Sequence, residues 1–364
     1  MEFMKIDNIG DIAVLDEFRD IYFNSNGVEI CHTSAKPSEV FAKLKSDYVV
    51  ILQGDYQKAE YLFHYIHHYE DELAVNNINN MPQTLNKAAL KRNRIYRLAY
   101  VAYNNTFPMF DNVTEMHLFQ EWLSEDIKDC RFLLPTRRYN RILTDIKRAT
   151  DGIFLDAVNS KIYIRPFVYV PFDNSVPDMF KAFSGLIRNK TVIDIGTATG
   201  IIAIMAAQMG AKSVAATDIN RNAIECAEIN IRASGVENIV TEIIYSDLFD
   251  NIRSMYDVVI FNAPWVKGTP KNLYETAIYD KDYELVNRFI KQAPKYLNEN
   301  GVILLQYSDI SQKNGGGSLD NLYGNLEKNG LYIADNTSML RRNRLYGIME
   351  RVYVFVIRRI KKVE

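Results

Sequence analysis

A short run in the middle of the chain restricts its fold more than any other feature. Residues 192–200 read VIDIGTATG, a β-branched strand that enters a turn of small residues, and an alanine-rich segment follows directly. Gly196 and Gly200 have no Cβ, so the turn can be tight and a ligand can lie against its backbone at the carboxyl end of the strand. The run therefore predicts the first strand, turn and helix of an open α/β sheet that binds a nucleoside.

The rest of the C-terminal half repeats this alternation. The β-branched runs SVAATD, IVTEIIY, DVVIF and GVILLQY are separated by amphipathic helical stretches, which is typical of a parallel sheet wrapped by helices. Two final runs, LYIAD and RVYVFVI, predict a hairpin that completes the sheet. The predicted fold class is α/β, with a Rossmann-like domain over residues 171–364.

The first 150 residues have a different pattern. They contain no glycine-rich motif, and their apolar residues recur mainly at helical spacing, with one short strand predicted at DYVVIL. We expect a mainly helical N-terminal domain over residues 1–150 that recognises the substrate. The runs IFLDAV and KIYIRPFVYV, separated by Asn159 and Ser160, predict a β-hairpin linker over residues 151–170.

Composition argues against several classes of function. The three cysteines include no CxxC pair, so neither a disulfide framework nor a metal site is expected. Lys and Arg total 43 against 45 Asp and Glu, and this balance does not favour a duplex nucleic-acid partner. No window approaches about 18 uninterrupted apolar residues, so we expect no membrane partner and a cytoplasmic location.

Three acidic residues follow or lie within the predicted strands, where an adenosine-bearing cofactor can be held. Asp194 can anchor the glycine-rich turn or, through water, the amino-acid end of the ligand. Asp218 ends the second strand, where a carboxylate can accept hydrogen bonds from both ribose hydroxyls. Asp247 follows the third strand and can accept a hydrogen bond from an adenine amino group. The predicted cofactor-binding residues are Asp194, Gly196, Thr197, Ala198, Gly200, Asp218, Ile219, Asp247 and Leu248.

The segment after the fourth strand, Asn262-Ala-Pro-Trp265, indicates the reaction class. The Asn262 side-chain carbonyl and the backbone carbonyl of Ala263 or Pro264 can both accept hydrogen bonds from one NH2 group. Pro264 fixes the local backbone, and Trp265 offers a flat face to a planar group. Both hydrogen bonds strengthen as an attacking nitrogen becomes positive. We therefore predict a nitrogen acceptor, with Asn262, Pro264 and Trp265 as catalytic residues.

These segments, in this order, resemble class I S-adenosylmethionine-dependent methyltransferases from about residue 171 to the C-terminus. The resemblance implies S-adenosylmethionine as the cofactor, held by the turn, Asp218 and Asp247. Ala198 stands where many members carry a glycine. NAPW is similar to the Asn-Pro-Pro-Tyr motif of amino-methyltransferases, and the stretch YSDLFDNIRSMYDVVIFNAPWV is similar to release-factor glutamine methyltransferases, whose substrate is a glutamine amide.

The sequence leaves the acceptor open. A nitrogen of a protein, peptide or small molecule is favoured, and adenine N6 or guanine N2 of RNA or DNA is the alternative. For that alternative, phosphate contacts could come from Arg341, Arg342, Arg344, Lys91, Arg92, Arg94 and Arg97.

Two other classes of function share parts of this sequence pattern. A nicotinamide-dependent oxidoreductase shares the fold and the ribose acid, but GxGxxG is absent because Ala198 occupies its second glycine position. A scaffold that binds the cofactor without catalysis would be distinguished by the absence of turnover. The cluster His64-x-x-His67-His68 is interpreted as structural or surface rather than as a metal site.

Overall fold

The computed structural model describes residues 2–74, 85–104, 106–111, 122–123, 127, 129–170, 175–313, 315–343 and 347–360. They divide into two compact units, Met1–Lys147 and Arg148–Glu364. The predicted start of the C-terminal domain at residue 171, and Arg344, lie outside the described residues. Within the described ranges, every helix is too short or too polar to span a bilayer.

The first unit is built on a six-stranded sheet in the order β1-β2-β6-β5-β4-β3. Its strands are β1 (Glu2–Ile6), β2 (Gly10–Val14), β3 (Val28–His32), β4 (Val49–Gln53), β5 (Leu98–Ala102) and β6 (Phe132–Pro135). Strands β3, β4 and β5 are parallel, and β6 is antiparallel to β5. The accompanying helices are α1 (Arg19–Phe23), α2 (Pro37–Lys45), α3 (Tyr56–His68), α4 (Leu85–Tyr96) and α5 (Thr136–Asp151).

The expectation of a mainly helical N-terminal domain is wrong. Apolar residues recur at helical spacing in KAEYLFHYIHHYEDELAV and in RNRIYRLAYVAY, which predicts a helix in each run. In the second run, however, LAYVA forms β5 in the interior of the sheet, and all five of its residues are buried. A short run that is apolar on both faces has no periodicity that separates a buried strand from a buried helix. The predicted helix around α3 and the short strand within DYVVIL are present as α3 and β4.

Two arginines bind one carboxylate inside this unit. Arg94 is fully buried and donates from Nε and Nη2 to the two carboxylate oxygens of Asp47, at 3.1 Å each. Arg97 also pairs with Asp47 and donates to the backbone carbonyl of Ile21 at 3.1 Å. Burial alone would raise the pKa of Asp47, but the two guanidinium groups lower it. Arg94 and Arg97 are therefore structural residues, and their burial fits neither the alternative in which they contact phosphates nor the favoured interpretation of a solvated charged face.

A second charged cluster surrounds Glu70. Its carboxylate lies 2.8 Å from Lys91 Nζ and 2.8 Å from His67 Nδ1, and it also pairs with Arg137. Burial opposes ionisation of Glu70, but these three partners lower its pKa to about 2. His67 thus takes part in an ion-pair cluster, and no group of three or more metal-ligating side chains is found among the described residues.

We expect Glu70→Gln to reduce the free energy of unfolding by about 2 to 3 kcal/mol at neutral pH. The folded pKa lies below the ordinary value of 4.5, so the charge stabilises the fold above that value. This contribution disappears as the pH falls through about 2. Urea unfolding at neutral pH and at about pH 3 measures the difference in free energy of unfolding between the wild type and Glu70→Gln. At about pH 3 this difference should be less than half of its value at neutral pH. The exposed residue Glu72 provides the control Glu72→Gln, and a pH-independent loss would contradict the electrostatic explanation.

The second unit begins with a short antiparallel hairpin of β7 (Ile153–Leu155) and β8 (Ser160–Ile162). Its residues Leu155, Val158 and Ile162 belong to the same buried cluster as Val192 and Ile204. The predicted hairpin is therefore present, but it packs in the core of the second unit instead of linking two domains.

A seven-stranded sheet forms the centre of the second unit. Its strands are β9 (Thr191–Ile195), β10 (Ser213–Asp218), β11 (Val240–Tyr245), β12 (Tyr256–Asn262), β15 (Leu297–Ser308), β16 (Leu331–Arg342) and β17 (Met349–Arg359). The short strands β13 (Val266–Lys267) and β14 (Tyr279–Asp280) pair separately. The helices are α6 (Ser175–Asp178), α7 (Ser184–Ile187), α8 (Ile201–Gln208), α9 (Arg221–Ala233), α10 (Glu284–Gln292), α11 (Ile310–Lys313) and α12 (Ser318–Lys328).

The order of this sheet is β11-β10-β9-β12-β15-β17-β16. The first five strands in that order are parallel, whereas β17 is antiparallel to both of its neighbours. The predicted Rossmann-like domain and its closing hairpin are thus confirmed. The direction of winding reverses between β9 and β12, and the crevice at such a reversal, at the carboxyl ends of the strands, is where open α/β sheets bind ligands.

Candidate active site

The turn after β9 has a left-handed backbone at three positions. The φ angles are 66° at Gly196, 49° at Ala198 and 81° at Gly200. This conformation costs a residue with a side chain about 1 to 2 kcal/mol, whereas glycine adopts it readily. Ala198 therefore carries backbone strain at the position where the family resemblance implies a glycine.

We expect Gly200→Ala to destabilise the second unit by about 2 to 3 kcal/mol, since backbone strain and a steric clash act together. A Cβ at Gly200 would lie 3.2 Å from both Cα and Cβ of Ala227 on α9. Gly210 provides a matched control, because its φ is 85° and the nearest atom to an added Cβ is Arg188 Cγ at 3.7 Å. Gly210→Ala should cost only about 1 kcal/mol. Thermal unfolding compares the two, and equal losses would show that contact with α9 is unimportant.

Asp194 supports the turn from beneath. Its side chain is fully buried, and its Oδ2 accepts a hydrogen bond from Thr197 Oγ1 at 2.6 Å. Its Oδ1 has no hydrogen-bond partner among the described residues. Burial, together with the nearby charge of Asp218, raises the pKa of Asp194 to about 7. The predicted role of Asp194 as an anchor of the turn agrees with these contacts.

Asp218, at the end of β10, joins the turn to the next helix. Its Oδ2 accepts a hydrogen bond from the Ala198 backbone N–H at 2.9 Å, and its Oδ1 accepts one from the Asn220 N–H at 2.8 Å. Burial raises its pKa, and the backbone donors oppose that effect. Each carboxylate oxygen can accept a further hydrogen bond, so this side chain can hold the turn and a ribose hydroxyl at the same time.

A cavity of about 380 Å³ opens at this edge of the sheet. It brings together all the predicted site residues except Asp194 and Gly200, which lie behind its wall: Gly196, Thr197, Ala198, Asp218, Ile219, Asp247, Leu248, Asn262, Pro264 and Trp265. Residues that follow four different strands of the sheet, β9, β10, β11 and β12, therefore meet at one site.

The adenine end of the predicted site has one polar and two apolar groups. Asp247 lines the cavity, and its Oδ2 accepts a hydrogen bond from Arg288 at 2.7 Å, which orients the carboxylate. Leu248 has a φ of 48° and is buried beside it. Ile219 is 47% exposed although it is a large apolar residue. An exposed isoleucine in the cavity wall gives a flat ring a surface on which to pack.

Asn262 is the last residue of β12, and its side-chain oxygen can accept a hydrogen bond. Its Oδ1 is buried and has no hydrogen-bond partner among the described residues, and the side chain lines the cavity. Trp265 is largely buried and forms part of the wall. Its backbone carbonyl accepts a hydrogen bond from Ser311 Oγ at 2.9 Å, and Ser311 Oγ in turn accepts one from the Lys267 N–H at 2.8 Å. The NAPW segment is therefore held before its proline by the pairing of Asn262 with Gln306 of β15, and after it by Ser311.

Several cavity residues were not predicted from the sequence. They comprise a segment before β14, a tyrosine near the hairpin and the end of β16: Tyr169, Thr276, Ala277, Ile278, Tyr279 and Asn343. Arg341 and Arg342 also line the cavity, whereas the sequence indicated them only as phosphate contacts in the nucleic-acid alternative. None of these residues belongs to a motif, and only the tertiary structure brings them to the cavity that Asn262 lines.

Comparisons with known proteins show the family of the chain. The family model of the methyltransferase small domain matches residues 173–328. A protein of Methanocaldococcus jannaschii that is named as a protein N5-glutamine methyltransferase is 31% identical over 157 residues, which cover 42% of this chain and 77% of that protein. The chain belongs to the S-adenosylmethionine-dependent methyltransferases.

Other relatives of the methyltransferase act on a ribosomal protein, by their names. The ribosomal protein L11 methyltransferase of Thermosipho melanesiensis is 25% identical over 202 residues, which cover 53% of this chain and 70% of that protein. Among solved structures, the ribosomal protein L11 methylase of Lactobacillus delbrueckii subsp. bulgaricus is 22% identical and has a TM-score of 0.41, over 56% of this chain and 87% of that chain. The family model begins at residue 173, so it matches the second unit of this methyltransferase and none of the first.

Proposed function

We propose that this methyltransferase transfers the methyl group of S-adenosylmethionine to an amide or amine nitrogen of a protein, peptide or small molecule. The observation that supports a nitrogen acceptor is the buried, unpaired Oδ1 of Asn262 in the cavity wall. The name of the M. jannaschii relative, a protein N5-glutamine methyltransferase, favours an amide. We also propose that the first unit contributes to acceptor recognition and that the enzyme works in the cytoplasm.

The cavity fits the proposed cofactor. Gly196 lines the cavity without a side chain, Asp218 can present a carboxylate to a ribose, and Ile219 can present an apolar surface to a base. Asp247 would hold the adenine amino group. S-adenosylmethionine, when bound, supplies an electrophilic methyl group on a positively charged sulfur.

The contribution of Asn262 follows from the cost of an unpaired acceptor. A buried oxygen that lacks a hydrogen bond costs about 1 to 3 kcal/mol of free energy. An N–H group of the methyl-accepting substrate can donate to Asn262 Oδ1 and remove that cost. An NH2 group can donate to Asn262 Oδ1 and also to a backbone carbonyl of the NAPW segment, whereas a hydroxyl has one hydrogen to donate. As the nitrogen becomes positive, both hydrogen bonds strengthen, and this lowers the barrier.

Incubation with S-adenosylmethionine labelled in its methyl group tests this proposal. The acceptors to be compared are glutamine-containing proteins and peptides, small amines, and total RNA from the source cells. Methylation of an amide or amine nitrogen, identified by mass spectrometry, would support the proposal. Methylation confined to adenine or guanine would favour the nucleic-acid alternative, for which Arg341 and Arg342 in the cavity wall are the supporting observation. An oxygen- or carbon-linked methyl group would contradict the proposed role of Asn262.

A further inference from the structure

A buried carboxylate organises the far edge of the catalytic sheet. The side chain of Glu350, near the start of β17, is fully buried and lies opposite Arg341 in the antiparallel register of β16 and β17. Its Oε1 accepts hydrogen bonds from Arg341 Nε at 2.8 Å and from Asn343 Nδ2 at 3.0 Å, and its Oε2 accepts one from Ser308 Oγ at 2.6 Å. This network restricts the side chains of Arg341 and Asn343 at the end of β16.

The same end of β16 lines the catalytic cavity. Arg341, Arg342 and Asn343 share that cavity with Asn262, and the guanidinium carbon of Arg341 lies 6.0 Å from the centre of the Trp265 ring. Such a cation beside an indole is attracted by the ring face. Arg341 is thus held next to the NAPW segment, and Arg342 lines the same cavity.

Charge in the cavity is distributed unevenly. The two acids of its wall, Asp218 and Asp247, follow β10 and β11, on one side of β9. The two arginines come from β16, at the opposite edge of the sheet. Glu350 pairs with Arg341, so the charges of the three described residues Arg341, Arg342 and Glu350 sum to one positive charge. The Nε of Arg342 donates to the Gly347 carbonyl at 2.9 Å, and its side chain is exposed.

We propose that the methyl acceptor carries an oxyanion, either a carboxylate or a phosphate, which is bound by Arg341 and Arg342 while the acceptor nitrogen lies at Asn262. This inference rests on the proposed function and narrows its substrate class. Guanidinium groups bind carboxylate and phosphate through charge-assisted hydrogen bonds, and a fixed guanidinium loses little entropy when it does so. Glu350 is a positioning residue, because it contacts Arg341 and Asn343 and is not itself part of the cavity wall.

The fluorescence of Trp265 can report the anion directly, without knowledge of the acceptor. The full-length enzyme, saturated with S-adenosylhomocysteine, is titrated with sodium phosphate and separately with sodium acetate, at an ionic strength kept constant with sodium chloride. We expect a saturable change in emission that Trp265→Phe removes. Arg341→Met and, independently, Arg342→Met should weaken the response about tenfold or more, and Arg341→Lys should weaken it less. Arg253→Met, at an exposed arginine away from the cavity, is the matched control and should behave like the wild type.

The outcomes separate this inference from the proposed function. A response to phosphate alone or to acetate alone would identify the source of the oxyanion. The absence of any response in the wild type, or a response in Arg341→Met and Arg342→Met that equals the wild-type response, would overturn the inference. Calorimetric titration with S-adenosylhomocysteine is made on the same samples: normal binding without an anion response leaves the proposed methyl transfer intact, whereas loss of nucleoside binding contradicts the proposed function itself.

Discussion

Asn262→Ala is expected to reduce kcat for methyl transfer by about 10² to 10³, with the Kd of S-adenosylhomocysteine changed less than about twofold. The removed oxygen is the buried, unpaired acceptor in the cavity wall. Its hydrogen bond to the acceptor nitrogen strengthens most as positive charge develops, so its loss raises the barrier more than it weakens ground-state binding. Asn262→Asp keeps an acceptor oxygen at the same position and should lose less activity.

Single-turnover kinetics with labelled cofactor, together with calorimetry, measures both quantities. The matched control is Asn238→Ala, since Asn238 is an exposed asparagine outside the cavity. It should leave kcat and Kd as in the wild type. If Asn262→Ala retained full turnover, the assigned role of the NAPW segment would be wrong.

Asp218→Ala should have the opposite signature, with cofactor affinity lowered about 10²-fold or more and a smaller effect on the chemical step. The substitution removes the proposed ribose contact and also releases the Ala198 N–H that Asp218 binds at 2.9 Å. The second effect matters because Ala198 has a strained backbone, with a φ of 49°, which that hydrogen bond helps to hold.

The rise in melting temperature caused by saturating S-adenosylhomocysteine is a simple measure of this prediction. The rise should almost disappear in Asp218→Ala and persist in Glu237→Ala, a control at an exposed acid. Asp218→Asn keeps one carbonyl oxygen and should fall between them. An unchanged rise in Asp218→Ala would show that the nucleoside binds elsewhere.

The catalytic sheet could be predicted from the sequence because its signals are local. Each strand is a short β-branched run, and the turn from Gly196 to Gly200 is encoded within a few residues. The predicted cavity residues Asp218, Asp247 and Asn262 could be found because each lies at the end of its strand or within two residues of it. Parallel pairing then places the ends of these strands side by side, as the fold class requires.

The first unit and one wall of the cavity could not be predicted in the same way. LAYVA is apolar at every position, so only its sheet neighbours decide that it is a strand. The burial of Arg94 depends on Asp47, which is 47 residues away in sequence. Arg341 reaches the cavity because β16 pairs with β17, and Glu350 determines its position. Nothing in the local sequence around these residues encodes those contacts.

The pairing of β16 with β17 has a consequence for how such an enzyme can change its substrate. Arg341, Arg342 and Asn343 lie at one end of the β16–β17 hairpin, whose strands are joined by backbone pairing and by the buried carboxylate of Glu350. This hairpin is separate in the sheet from β10 and β11, whose ends carry Asp218 and Asp247. Replacement of this hairpin end as a block, with Glu350 included, would exchange the proposed acceptor wall, while the turn proposed to bind the nucleoside keeps its own hydrogen bonds. Evolution or laboratory selection can therefore diversify the acceptor through one contiguous segment of the gene.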